Sequence, residues 1–219
     1  MNNTTLQLKI KQRLNKLASN DYDNLECWQI VEAFNKAQIQ WVRRQIIGMN
    51  AEKQGSEQTT RNIDDLQCLL TEIPVDLAQR NLYMETGELP ANYLQYKRIN
   101  ANAKKDCCEN PAEITVTYLA EEQNIPVLLQ DYLRKPSFEW GETFCTIVGD
   151  KIRIYNNNEF DIVNASLMYY RDPVKIQIQG CTDPYTLVVS QTDVECEFQE
   201  NIIEILIDNA VKVLAGDIA

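Results

Sequence analysis

Two glutamates on either side of a tryptophan are spaced such that they could act together in acid–base catalysis. Glu139 and Glu142 flank Trp140-Gly141, and two carboxyl groups can serve as the acid and base of glycoside hydrolysis. A turn with solvated acids explains this pattern equally well. The pairs Glu121-Glu122 and Asp64-Asp65 are adjacent in sequence, so on a helix their side chains point in different directions. None of these pairs is predicted to be catalytic.

The chain contains no histidine. This absence excludes Ser-His-Asp and Cys-His catalysis, His-ligated metals and the usual proton shuttle near neutral pH. The sequence also lacks the glycine-rich motifs GxGxxG and GxxxxGK[ST], whose backbone cradles phosphates. We therefore predict that the protein is not an enzyme and has no catalytic, metal-binding or cofactor-binding residues.

The cysteines are scattered and odd in number, which indicates a reducing cytosol rather than a disulfide framework. The adjacent pair Cys107-Cys108 is not a CxxC motif, and no second pair stands at zinc-binding spacing. We predict reduced, structural cysteines. The seven are Cys27, Cys68, Cys107, Cys108, Cys145, Cys181 and Cys196.

The charge is acidic and unevenly distributed. With 21 basic and 32 acidic residues the net charge is −11, which argues against general nucleic-acid binding and against docking on anionic membranes. No apolar run reaches the length of a membrane-spanning helix, so a soluble protein is predicted. Residues 1–53 carry eight basic and five acidic groups, and residues 183–219 carry one and eight. The two ends could attract each other within one chain or between copies, or could simply be different solvated faces.

Helical periodicity dominates both ends of the chain. It predicts a short helix over 5–18 and a longer one from about 23 to 47, with apolar residues spaced 3-4-3-4. A final helix over 198–215 has two apolar stripes, Ile203/Ile207/Ala210/Leu214 and Ile202/Leu206/Val213. We expect the rest of the chain to cover only one stripe, so that the other contacts a second polypeptide.

The middle of the chain has the period of β-strands. Strands are predicted at 93–99, 114–119 and 161–170, with a hairpin over 144–155 around Gly149-Asp150. Residues 174–179 are expected to extend the sheet. The polar segment 48–62 is predicted to be a mobile loop.

Together these patterns predict an α+β fold. In it, an N-terminal helical pair and the C-terminal helix pack together, and a small antiparallel β-sheet or barrel is inserted between them. The predicted boundaries are 1–73 and 198–219 for the helical portion and 74–197 for the β-rich insert.

The order of elements suggests a family. The helical region contains NLECWQIVEAFNKAQIQWVRRQ, the β-rich region contains LPANYLQYKR, LLQDYLRKPSFEW and KIRIYNNNEFDIVNASLMYYRDPVKI, and the chain closes with ENIIEILIDNAVKVLAGDIA. This arrangement resembles the head–tail connector, or neck-ring, proteins of tailed bacteriophages. It is most similar to ring proteins of crAss-like phages and to tail tubular A-type adaptors.

The resemblance implies a virion structural protein that is assembled in the bacterial cytoplasm and located in the neck. It implies a homo-oligomeric ring, commonly twelve-fold, that joins the portal protein to the tail and lines a channel through which DNA passes without specific binding. The alternative is a monomeric protein-binding adaptor or minor structural protein. The residues predicted for the subunit interface are Phe34, Trp41, Ile202, Ile203, Leu206, Ile207 and Leu214.

Overall fold

The computed structural model describes residues 1–17, 25–47, 64–105 and 112–216. The predicted mobile loop 48–62 and the pair Cys107-Cys108 lie outside the described residues. The chain forms two compact units. The first combines Met1–Leu69 with Asp172–Ala219 and is called the helical unit; the second is Leu70–Arg171 and is called the sheet unit.

The elements are numbered in chain order. The helices are α1 (Asn3–Leu17), α2 (Cys27–Ile47), α3 (Ile125–Gln130) and α4 (Glu200–Ala215). The strands are β1 (Leu70–Val75), β2 (Leu77–Gln79), β3 (Tyr83–Thr86), β4 (Tyr93–Lys104), β5 (Ala112–Leu119), β6 (Glu142–Val148), β7 (Lys151–Tyr155) and β8 (Asp161–Arg171).

Side-chain caps and a glycine set the ends of the helices in the helical unit. The Asn2 side chain accepts a hydrogen bond from the Thr5 amide at 2.8 Å, which satisfies one of the unpaired N–H groups at the start of α1. At the start of α2, the Gln29 side chain accepts the Glu26 amide at 3.0 Å. Helix α4 ends at Gly216, whose φ of 79° is a left-handed conformation that favours glycine.

Helix α4 is the centre of the helical unit. Both α1 and α2 pack against it, whereas the contact between α1 and α2 is slight. The two N-terminal helices therefore do not pack as the predicted pair. Leu6 and Ile10 of α1 and Ile30, Phe34 and Ala37 of α2 are fully buried, as expected for helices that turn one apolar face to a common partner.

Ion pairs join α1 to α4 along their exposed side. Glu204 accepts hydrogen bonds from both Lys9 and Arg13, and Arg13 also donates to Asp208 at 2.6 Å. The opposite charges at the two ends of the sequence thus meet within one chain. The Lys9 hydrogen bond is the main cause that lowers the pKa of Glu204. Burial opposes it as the next largest effect, and Arg13 adds to the lowering.

The Glu204 pairing should make the helical unit weakly acid-sensitive. Because the folded-state pKa is lowered, the stabilisation is present above the unfolded pKa and disappears as the pH falls through the folded value. We expect Glu204→Gln to cost about 0.5–1 kcal/mol at neutral pH, since the carboxylate is partly solvated. Urea unfolding should show a smaller loss for the variant than for the wild type between about pH 5 and pH 3. Glu200→Gln, on the same helix, is the matched control, and equal acid sensitivity of wild type and Glu204→Gln would contradict the assignment.

The sheet unit is an eight-stranded, nearly closed mixed sheet. The strand order is β1-β8-β4-β5-β6-β7-β3-β2, and its two edge strands are separated in sequence only by Asp76. Its interior holds the inward-facing residues of all the long strands, for example Ile99, Ile154 and Leu167. A second cluster lies where α3 covers the outer face of β6 and contains Phe144, which is fully buried.

The coarse α+β prediction is confirmed, but the sheet is not purely antiparallel. Strands β5 and β6 are parallel, and parallel neighbours need a crossover connection, which here contains α3. The hairpin around Gly149 is confirmed, with Gly149 at φ 64°.

The structure also differs from the prediction in what precedes and follows the sheet. Ile63, Leu66, Leu69 and Leu70 predict one or two helical turns that end near Pro74. The structure has helical residues Asp64 and Asp65 and then a 3₁₀ turn at Gln67–Leu69, but strand β1 already begins at Leu70, and Pro74 lies in that edge strand. Proline is tolerated there because an edge strand has one unpaired side. Residues 172–197, predicted to belong to the β-rich insert, lie in the helical unit.

Residues 174–177 are hydrogen-bonded to side chains of α2 and do not extend the sheet as predicted. The Asn35 side chain accepts the Ile176 amide at 2.9 Å, and the Gln38 side chain donates to the Val174 carbonyl at 3.1 Å. Two amide side chains of a helix thereby satisfy backbone groups that would otherwise pair in a strand.

Candidate functional site

The carboxylates that could have formed a catalytic pair have separate environments. Glu139 is exposed and accepts hydrogen bonds from Lys105 and, at 3.3 Å, from Ser137. The Lys105 bond is the main cause that lowers the pKa of Glu139, whereas a general acid needs a raised pKa. Glu142 lies at the exposed start of β6.

The two adjacent acidic pairs also show no convergence on one site. Glu122 accepts a hydrogen bond from Arg153 at 3.0 Å, while Glu121 accepts one from Gln123 at 2.6 Å. Asp64 is exposed and Asp65 half-buried. Within the four described ranges, no three acidic or cysteine side chains gather in a way that could hold a metal ion.

The prediction that the cysteines are reduced is wrong for two of them. Cys27, at the start of α2, and Cys181 form a disulfide with a Cα–Cα distance of 5.8 Å. They are 154 residues apart in sequence, so no local spacing pattern could reveal the pair. Burial raises the pKa of Cys145 and of Cys196 to about 11, which keeps both buried thiols protonated and unreactive at neutral pH.

The residues predicted for a subunit interface lie mostly inside the helical unit. Six of them are buried in a single chain and Leu214 is half-buried. Both stripes of α4 are covered, because α1 and α2 pack on the same helix. The expectation that one chain leaves a stripe of α4 open is therefore wrong. The buried six are Phe34, Trp41, Ile202, Ile203, Leu206 and Ile207.

Among the residues that the structure describes, exposed apolar side chains are instead concentrated at two other places. One is a groove of the sheet unit with a volume of about 220 Å³, which we call the Trp140 groove. It lies between the end of β5, the start of β6 and the segment after α3. Its apolar and charged lining consists of Tyr118, Tyr132, Leu133, Arg134, Lys135, Trp140 and the acidic Glu142.

Stacked aromatic rings form the base of the Trp140 groove. Tyr118 stacks on buried Phe144 at 5.9 Å between ring centroids, and Phe144 stacks on Tyr155 at 5.0 Å. Trp140 and Tyr132 are mostly exposed, at 75% and 79%. A fixed base under exposed aromatic rings is typical of the anchor residues of protein interfaces.

Two basic side chains border the groove. Lys135 donates to Glu159 at 2.9 Å, and this hydrogen bond is the main cause that raises the lysine's pKa. Arg134 lies 3.8 Å from Asp131, and its side chain remains 68% exposed. Its guanidinium is thus accessible to an acidic partner.

The second place is a loop of the helical unit from Gln177 to Val194, called the 177–194 loop. Antiparallel bridges at Gln177–Val194 and Thr182–Val189 close its stem. The Cys27–Cys181 disulfide attaches it to α2, and the Asn3 side chain donates to the Gln177 carbonyl at 2.7 Å. The loop is therefore held firmly at its base.

The tip of the 177–194 loop presents apolar side chains to solvent. Tyr185, Leu187, Val188 and Val189 are all exposed. The Asp183 carboxylate accepts the Tyr185 amide and the Thr186 hydroxyl, both at 2.9 Å, and the first of these bonds is the main cause that lowers its pKa. Leu187 has a φ of 56°, an unfavourable conformation for a leucine. Backbone strain of this kind is found mostly at functional sites of proteins.

Sequence reasoning did not identify either surface. The pattern PYTLVV and the exposed pair Tyr132-Leu133 are ordinary runs of apolar residues, which by composition suggest strands or core. For the loop tip, the sequence does contain one indication. Asp183-Pro184 is a typical start of a turn, and it directly precedes apolar residues.

Comparison with known proteins gives no match, either to a protein-family model or to a curated protein sequence. In the part of the chain that the structure covers, no helix combines the length and the apolar content needed to span a bilayer. The function is therefore inferred from the exposed surfaces of the chain itself.

Proposed function

We propose that this protein is a structural component of a tailed-phage virion, forming a ring in the neck that joins the portal to the tail and surrounds the DNA channel. The observation that carries the proposal is the pair of exposed apolar surfaces, on the Trp140 groove and on the tip of the 177–194 loop. Clusters of exposed apolar side chains are a common feature of sites where proteins associate.

Two further properties support the proposal. Disulfides persist on virions and in other oxidising surroundings, so the Cys27–Cys181 pair suits a protein that leaves the reducing cytosol inside a particle. The net charge of −11 suits a channel wall, because a negative surface repels phosphates and lets DNA slide past. The sequence resemblance points in the same direction, towards a helical portion with a β-rich insert.

The alternative, a monomeric adaptor that offers its terminal helix to a partner's groove, has less support. Both apolar stripes of α4 are buried under α1 and α2, so the helix has no large apolar face to offer.

Imaging tests the ring. We expect end-on views of particles containing this protein to show closed rotational symmetry, commonly twelve-fold, in a layer beneath the portal. Labelling the C-terminus with a small density tag should place one tag per subunit around that layer. A tag found in the capsid shell, in the tail fibres or outside the particle would contradict the proposal.

A further inference from the structure

The two exposed apolar surfaces are complementary in chemistry. The tip of the 177–194 loop exposes its apolar side chains, whereas the Trp140 groove is concave. The loop contains two acidic residues, Asp183 and Asp193, and no basic one, while the groove is lined by basic Arg134 and Lys135 and by one acid, Glu142. A net negative, apolar loop thus matches an aromatic groove whose lining has a net positive charge.

We infer that the tip of the 177–194 loop of one copy inserts into the Trp140 groove of a second copy. This inference rests on the proposed function, because it names the contact that would link neighbouring subunits of the ring. Leu187 and Val188 are the side chains that enter the groove, and Trp140 and Tyr132 are the walls that receive them. Arg134 faces the acidic stem of the loop.

The contact is head-to-tail, because it joins two different surfaces of the same chain. Such a heterologous contact leaves one loop and one groove unused in a dimer, so further copies add, and a ring forms when the rotation between neighbours closes. An isologous contact between two identical patches would stop at two copies.

Both partners are prepared for the contact before they meet. The disulfide, the Asn3 bond and the Asp183 turn hold the loop, and the Tyr118–Phe144–Tyr155 stack holds the base of the groove. Less ordering is then needed on association. One loop tip in one groove buries less than a standard interface, so we expect a dissociation constant of about 10–100 μM for the free chain.

Sedimentation of the purified, oxidised chain tests the contact. The average mass of the wild type should rise with concentration. Leu187→Asp and Trp140→Asp should each weaken association at least about tenfold, because each places a charge in the contact. Leu8→Asp is the matched control: Leu8 on α1 is 64% exposed, against 77% for Leu187, and should behave as the wild type. An unchanged circular dichroism spectrum would confirm that each variant is folded. If Leu187→Asp or Trp140→Asp is destabilised, Val188→Asp replaces the first and Tyr132→Asp the second.

A mixture of the two variants distinguishes this geometry from any other. Leu187→Asp keeps a good groove and Trp140→Asp keeps a good loop, so together they should form a one-to-one dimer that does not grow further. A mixture that stays monomeric, variants that associate like the wild type, or a wild type that is monomeric up to about 1 mM would each overturn the inference. If the wild type and both variants form rings alike, the contact is refuted while the proposed neck ring stands. Absence of the chain from the neck refutes the proposed function itself.

Discussion

Leu206→Asp and Ile207→Asp are each expected to unfold the helical unit. The two residues belong to different apolar stripes of α4, yet both are completely buried. A carboxylate at either position would be buried without a partner, which costs several kcal/mol, and we expect a loss above about 4 kcal/mol. Chemical denaturation followed by tryptophan fluorescence measures the effect, since Trp41 packs against Phe198 at the edge of the same core.

Ile205→Asp is the matched control on the same helix. Ile205 directly precedes Leu206 but belongs to neither stripe, and its side chain is 45% exposed. Aspartate at this position should therefore change the free energy of unfolding by less than about 1 kcal/mol. A folded Leu206→Asp or Ile207→Asp protein that merely fails to assemble would contradict the structure. That outcome would restore the view that one stripe belongs to a subunit interface.

Replacing both Cys27 and Cys181 with serine should lower the stability of the helical unit by about 2–5 kcal/mol. The bond closes a loop spanning 154 residues, and a cross-link of that length strongly restricts the unfolded chain. It also fixes the 177–194 loop, so the variant's loop should be cut faster by proteases. Thermal melting with and without dithiothreitol gives the first effect, and timed proteolysis with mass spectrometry gives the second.

The double variant supplies its own control for this experiment. Its melting temperature should not respond to dithiothreitol, whereas that of the wild type should fall towards the value of the variant. Peptide mapping under non-reducing conditions should recover the two cysteines in one linked peptide. Alkylation of both as thiols in protein taken from intact particles would contradict the pairing.

The apolar residues of the molecule fall into two sets. Those of α4 are mostly buried and stabilise one chain, whereas those of the loop tip and of the groove are exposed and form the proposed contact. Mutations in the first set should act on unfolding, and mutations in the second set on association at unchanged stability.

Local pattern was sufficient for most of the individual elements. The three long helices, four of the longer strands and the Gly149 hairpin follow from apolar periodicity and from capping or turn residues, which act over a few positions. The parallel pairing of β5 and β6 was not predicted, although Pro126 can stand in the first turn of a short helix between them, which is typical of a crossover connection. The three strands before Tyr93 were missed, because they are short and one of them contains Pro74.

What covers each surface was decided only by the tertiary structure. The sequence determined that α4 is apolar on two sides and that the two ends carry opposite charge, because these are properties of side chains in one helix or one segment. It did not determine that α1 and α2 cover both stripes, that Glu204 meets Lys9 and Arg13, or that Cys27 meets Cys181. Each of these contacts joins residues more than 150 positions apart, and only the folded chain brings such residues together. The exposed groove and loop tip have the same origin: an apolar residue becomes a surface feature only when the fold leaves it uncovered.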